Sequence, residues 1–436
     1  MMLDLVGTQG ASGTHDKYWN HLMTTSPPGA TSPAEMPFFG LAPFLRMSIA
    51  GVDLLPYAQE MLALAEERPD DANLWMNLSL AVQCLGQRES GLAIQAQALE
   101  LKRIYHLAAT EQPARLCVLM LMVPGDLAAN TPLECLLETG DIDLVFYYVS
   151  PDDPLAFPIP EHDVLLVAMG ESAANRSLLA TLTQALADWP KPVINSPQHI
   201  HTTDRSVASR LLQGAPGLLI PPTLHAPRAA LQAIASGAER LGERFVGCDF
   251  PVIVRPVDSQ GGRDLDKIDS PEMVAAYLAR VDSTEFFVSR FIDYRGQDGL
   301  FRKYRIALID GSPFACHMGV SSHWMVHYVN AGMYEEAHKR AEEASFMANF
   351  DDFARRHKPA LNAIAARTGL DYLCIDCAET QAGQLLVFEV DHCMVVHAMD
   401  PEDLFPYKQT YMQKVKTAFR DYLLRLDVAQ RRDNDE

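Results

Sequence analysis

The chain lacks the features that mark several large functional classes. It has no long hydrophobic run: the most apolar stretch, Leu116 to Val123, falls far short of the roughly twenty residues a membrane span needs. It has no surplus of positive charge, with 36 Lys and Arg against 56 Asp and Glu and a formal charge of -20. That balance excludes a nucleic-acid backbone as the main partner and disfavours an acidic membrane. The opening residues, MMLDLVGTQGASGTHDKYW, carry no basic region leading into an apolar core, so no secretory signal is expected. Cysteines are few and scattered, and most sit in apolar segments as small core residues do, which makes reduced, cytoplasmic protein the expectation. Cys374 and Cys377 spell CxxC, but three residues apart on a strand they point to opposite faces. No Gly-rich dinucleotide fingerprint follows any of the early strands.

What is present is ample core material. With 48% hydrophobic and 21% charged residues over 436 positions, the chain has room for two or three domains. Clusters of Gly, Ser, Thr and Pro up to about residue 45 (SPPGATSPAEMP) read as a flexible arm. Helical periodicity runs over Leu54 to Ala65, Ala72 to Leu85, and Arg88 to about Ala109. Trp75, Leu78, Gly91 and Ala98 follow the spacing of a tetratricopeptide repeat, although Ser79 and Gln95 depart from it; a plain helical hairpin fits the same residues. From Ala114 the pattern changes to buried strands, RLCVLMLMV, DLVFYYVS, DVLLVAMG and KPVINS, alternating with helical stretches, which implies parallel βαβ units.

The most informative stretch is Tyr372 to Asp391, YLCIDCAETQAGQLLVFEVD, two apolar runs joined by a turn at Ala382-Gly383. With those residues at the turn, positions summing to 765 face each other, so Asp376 opposes Glu389 and Asp391 lies two residues on along the same face. Carboxylates roughly 5 Å apart repel by about 3 kcal/mol at an effective dielectric near 20. A raised pKa, a nearby Arg or a divalent cation would each offset that, as would simple exposure at the hairpin end. Upstream, PVIVRPVDSQGGRDL is a strand ending in a cation and followed by a Gly pair, a pattern that lets backbone N–H groups approach phosphate. Arg205 lies about fifty residues earlier, and EFFVSRFID supplies a strand running into a polar bend.

Taken together, NSPQHIHTTDR with LLIPPT, PVIVRP with its SQGGRDL loop, FFVSRFID, YRIALIDGSPFACH, and GLDYLCIDCAE with LLVFEVD resemble an ATP-grasp domain, of the RimK-like and D-alanine-ligase-like branches. The resemblance spans about Val193 to His397, and residues 114 to 195 resemble the α/β domain that precedes it. The fold class it implies is α/β: an α+β ATP-grasp domain after a small parallel α/β domain, with an N-terminal α-helical repeat-like segment. The expected divisions are an arm at 1–45, helices at 46–112, the α/β domain at 113–200, the ATP-grasp domain at 201–430 with a lid at about 220–292, and a charged tail at 431–436.

Carried over residue by residue, the resemblance gives Arg205 and Arg255 to the nucleotide phosphates, where the family usually has Lys. Gln260, Gly261 and Gly262 match the loop over the phosphates. Arg290, Phe291 and Ile292 match the adenine strand, often with Glu in place of Arg290, and Asp293 is the ribose candidate. Arg305 faces the transferring group. Asp376, Glu389 and Asp391 match the Mg²⁺ (or Mn²⁺) ligands, the last commonly Asn. His323, His327 and Asn330, in a polar, His-rich segment, are the substrate candidates. The implied activity is ATP-dependent ligation of a carboxylate to an amine through an acyl phosphate, on an amino acid, peptide or small metabolite. The implied partners also include a peptide or protein on the N-terminal helices, or a second copy in a homodimer. An adaptor that binds nucleotide without turnover and a phosphotransferase are the competing expectations.

Overall fold

The computed structural model describes residues 35–150, 154–155, 159–257, 259 and 261–435, and these form two compact units. Of these, the first comprises the described residues up to Gly170, Ser177–Pro197 and those from Cys393 onward, and the second Glu171–Arg176 and the described residues of Gln198–His392. Most of the expected N-terminal arm lies outside the described residues. Its last part, however, is buried: Met36, Phe38, Phe39 and Phe44 all enter the core of the first unit.

In that unit, helices Ala42–Ile49, Leu55–Glu67, Ala72–Cys84 and Arg88–Leu101 come first. Asp71 caps the third through its side chain, which accepts from Leu74 N at 3.1 Å and so satisfies one of the orphan donors of a helix start. Its other oxygen accepts from Met36 N at 2.8 Å, and Asn77 Oδ1 accepts from Phe39 N at 2.9 Å, so buried polar groups of this helix hold the segment before it. The third and fourth helices meet closely because Gly91 has no side chain: a Cβ there would stand 2.3 Å from Gln83 Cγ.

The expected helix through Ala109 ends at Leu101, and β1 (Ile104–Leu107) follows. The four residues IYHL are too few to show an alternation, and only pairing reveals them as a strand. β2 (Leu116–Met122), β3 (Ile142–Tyr148), β4 (Val164–Val167) and β5 (Val193–Ile194) form the expected parallel sheet in the order β3-β2-β4-β5, and β1 adds an antiparallel edge against β3. The central strands β2 and β4 are apolar throughout, as strands covered on both faces must be. The long helix Lys408–Asp435 groups with this unit, entered through a buried ion pair of Lys408 Nζ with Asp400 Oδ2 at 2.9 Å.

The second unit holds two sheets. β7 (Thr223–Pro227), β8 (Val252–Pro256), β9 (Asp266–Ile268) and β10 (Glu285–Arg290) form an antiparallel sheet in the order β7-β10-β8-β9. Helices Arg228–Ala235 and Pro271–Arg280 contribute Leu231, Ile234, Val274 and Tyr277 to a core shared with Val254 and Phe286 of this sheet. Burying each such side chain is worth about 1.5–3 kcal/mol. The other sheet runs β12-β11-β13-β14-β6, with β6 (Leu218–Leu219), β11 (Phe301–Ile309), β12 (Ser312–Ser321), β13 (Tyr372–Glu379) and β14 (Leu385–Asp391). Asp310 and Gly311, both at positive φ, make the two-residue turn between β11 and β12, as an Asp-Gly pair is suited to do.

The hairpin of β13 and β14 keeps the expected register at the acids: Asp376 opposes Glu389 and Cys374 opposes Asp391. Nearer the turn the pairing is one residue off, with Cys377 opposite Val387. The irregularity leaves Phe388 as an extra residue, and it is 36% exposed instead of lining a buried face. Such a bulge twists a strand and re-aims the side chain beside it, here Glu389. Among the described residues no helix is long and apolar enough to cross a membrane.

Candidate functional site

The chemistry-bearing residues of the second unit gather at the end of the β13–β14 hairpin. Asp376 is buried, and Arg305 Nε reaches its Oδ1 at 2.9 Å while Lys303 Nζ reaches its Oδ2 at 2.8 Å. Arg305 adds a second contact, Nη2 to Oδ2 at 3.1 Å. Burial pushes the Asp376 carboxyl up, but Arg305 and Lys303 together hold it well below the usual carboxylate range. Glu389 is ion-paired with Arg205, the first residue of helix Arg205–Leu212. The repulsion expected between opposed carboxylates is therefore offset by separate cations, one set for each acid.

Arg255, near the end of β8, is buried and donates from Nε to Ser259 Oγ at 3.1 Å and from Nη2 to the Ser259 carbonyl. Its guanidinium is thereby tied to the residue that leads into the Gly pair. Burial, then the neighbouring Arg205 charge, push it down to about 9, while Glu389 pulls the other way, so it stays protonated at neutral pH. Arg205, Arg255 and Glu389 thus lie within one another's fields. Gly261 and Gly262 both adopt positive φ. A Cβ on Gly262 would lie 3.4 Å from Met325 Sδ, whereas one on Gly261 would meet only open space. Gln260 lies outside the described residues.

On the adenine-strand candidates, Arg290 ends β10 opposite Val252. The Phe291 backbone N–H already donates to Pro251 O at 3.0 Å, and its ring meets Trp324 edge-on at 5.7 Å and Lys267 Nζ at 4.9 Å. Ile292 is half-buried beside it. Asp293 is exposed and paired with Arg295 at 2.7 Å, which lowers its pKa; a ribose hydroxyl would compete with that pair. Asp391 is half-buried, its Oδ1 3.8 Å from His392 Nδ1.

Of the substrate candidates, His327 lies within the field of the charged group. Burial lowers its pKa, as do the charges of Lys303 and Arg305, with Asp376 opposing. Asn330 is exposed, and its Oδ1 accepts from His327 N at 3.0 Å in the short turn Tyr328–Asn330. His323 is exposed too, with its Nδ1 accepting from Met325 N at 3.3 Å.

Lys303 was missed from the sequence. The signal was available: β11 reads FRKYRIALI, and period two puts Lys303 on the same face as Arg305. As a donor set for a divalent ion, Glu389 and Asp391 offer the hard carboxylate oxygens that Mg²⁺ takes. Asp376 has the same chemistry, but both of its oxygens already accept from cations.

No protein-family model matches the chain, and no curated protein matches it in sequence. Among solved structures it is similar to the D-alanine–D-alanine ligase from Bacillus anthracis complexed with ATP, at 12% identity over 73% of this chain and 99% of that one, with a TM-score of 0.44. It is also similar to the VanG D-Ala:D-Ser ligase from Enterococcus faecalis, at 14% identity over 71% and 98%, TM-score 0.43. A RimK domain ATP-grasp protein from Sphaerobacter thermophilus gives 18% identity over 70% and 99%, TM-score 0.40.

Proposed function

We propose that the chain is an ATP-grasp protein that ligates a carboxylate to an amine at the expense of ATP. The observation that carries this is the convergence of Arg205 and Arg255, from separate elements, beside a Glu389 that faces Asp376 across the hairpin. Cations from a helix and two strands and acids from a third and fourth strand suit a polyphosphate with its counter-ion.

In this reading Arg205 and Arg255 hold phosphate oxygens, and Arg keeps the charge of the more usual Lys while adding a planar donor fork. Gly261 and Gly262 leave the backbone open to close approach. Arg305 stands where charge moves during phosphoryl transfer. Glu389 and Asp391 would hold Mg²⁺ or Mn²⁺, which supplies neutralisation of phosphate charge when bound. The substrate carboxylate attacks the γ-phosphorus and ADP leaves; the amine then attacks the acyl carbon and phosphate leaves. His327, kept neutral by burial and by Lys303 and Arg305, is the base available for the amine proton. Positioning and electrostatics supply the rate, and no protein nucleophile is needed.

Mass spectrometry of reactions with ATP and pooled carboxylates and amines tests this directly. Ligation yields ADP, phosphate and a coupled product; a phosphorylated product without coupling would favour phosphotransfer, and no ADP at all would favour the adaptor reading. Independently, MgATP at a hundredfold excess over its dissociation constant should stabilise the chain by about 2.7 kcal/mol. Glu389→Gln with Asp391→Asn should remove most of that gain, and an unchanged thermal shift in the double variant would remove those two residues from the metal site.

A further inference from the structure

Asp376 is occupied more fully than a ready metal ligand should be. Its Oδ1 accepts from Arg305 Nε at 2.9 Å, and its Oδ2 accepts from both Lys303 Nζ at 2.8 Å and Arg305 Nη2 at 3.1 Å. The side chain is 6% exposed, so water does little to screen these charges. A divalent ion arriving here would find both oxygens engaged, Oδ2 by two donors, and two positive groups within bonding distance of them. Metal and cations therefore compete for Asp376.

The two cations are not equally movable. Arg305 grips both oxygens through a planar fork, whereas Lys303 makes a single contact from the end of a flexible four-carbon stem. Phosphate oxygens are strong acceptors for an ammonium group and would draw it from the carboxylate.

We infer that Lys303 gates the metal site: it closes Asp376 to divalent cations in the free chain and releases it when nucleotide phosphates take the ammonium. This rests on the nucleotide reading above. It makes Lys303 a positioning residue whose effect appears in metal binding without any turnover. Metal and nucleotide then strengthen each other's binding by the same factor, as linkage requires.

Paramagnetic resonance of Mn²⁺ with the full chain tests the gate, with Mn²⁺ alone and with a non-hydrolysable ATP analogue. The native chain should hold Mn²⁺ at least tenfold more tightly when the analogue is present. Lys303→Met should bind Mn²⁺ alone at least tenfold more tightly than the native chain does. Lys303→Arg should restore exclusion, and Asp376→Asn added to Lys303→Met should abolish the gained binding. Lys303→Gln, which keeps a donor without the charge, serves if Lys303→Met does not fold. Native-like Mn²⁺ affinity in the uncharged variants, with analogue binding intact, overturns the gate and leaves the nucleotide reading standing. A native chain that binds neither analogue nor its Mn²⁺ complex overturns both.

Discussion

Glu134 carries a pH signature of its own. Burial pushes its carboxyl up to about 7; Oε1 accepts from Leu41 N at 3.3 Å, while Oε2 has no hydrogen-bond partner among the described residues. The folded chain therefore keeps a proton that the unfolded chain releases above its ordinary carboxylate value. Stability from this group is full below that value and is lost as pH rises through about 7. The loss amounts to about 3 kcal/mol. Glu134→Gln should flatten the urea midpoint across that window, and an unchanged slope would assign the pH dependence elsewhere. Arg255 gives a second residue-level expectation. Its guanidinium donates to Ser259 from two nitrogens, a geometry a point-charge ammonium cannot copy. Arg255→Lys should weaken MgATP about tenfold by calorimetry, in line with about 1–1.5 kcal/mol for a lost hydrogen bond. Residue types were legible in the chain, but their pairing was not. The opposition of Asp376 and Glu389 followed from the place of the turn, whereas the cations that neutralise them come from positions 71 to 184 residues away.

Among the elements, the helical pair at 72–101 shows what a motif conveys and what it hides. Gly91 marks a close approach, so Gly91→Ala forces Gln83 or the backbone of Ser79 to move. We expect a loss of about 1–3 kcal/mol in denaturant unfolding, as overpacking usually costs. Ser79 and Gln95, which break the repeat pattern, have work within the fold. Ser79 Oγ donates to Gly91 O at 2.8 Å, and Gln95 exchanges hydrogen bonds with the Gly125 backbone at 2.8 and 3.0 Å. Such departures are readable only with the partner in view. The parallel strands β2 to β5 were visible because burial on both faces writes unbroken apolar runs. β1 was not, being four residues long at an edge, and the bulge at Phe388 was not, because a single extra residue leaves composition unchanged.

For the whole molecule, the division into two compact units lets nucleotide binding be located without a structure of the complex. Every residue placed in the proposed site belongs to Gln198–His392. Hydrogen exchange with and without MgATP should show its strongest new protection there, at 252–262, 301–305 and 374–391, since ligand-ordered segments slow their local opening. Protection concentrated in Leu116–Tyr148 instead would move the nucleotide to the other unit. The overall charge of -20 makes the four basic side chains Arg205, Arg255, Lys303 and Arg305 a local exception to the chain's acidity, which composition alone could not disclose.

The hold that Asp71 and Asn77 keep on the backbone at 36–39 sets a limit on how the chain can be trimmed. Phe38 lies 5.1 Å from both the Tyr105 and Phe146 rings, so this short segment also roofs the edge of the parallel sheet. A protease that cut after Phe39 would strip an aromatic plug and leave one buried Asp71 oxygen and the Asn77 amide without their backbone partners, converting a tolerable nick into unfolding of the first unit.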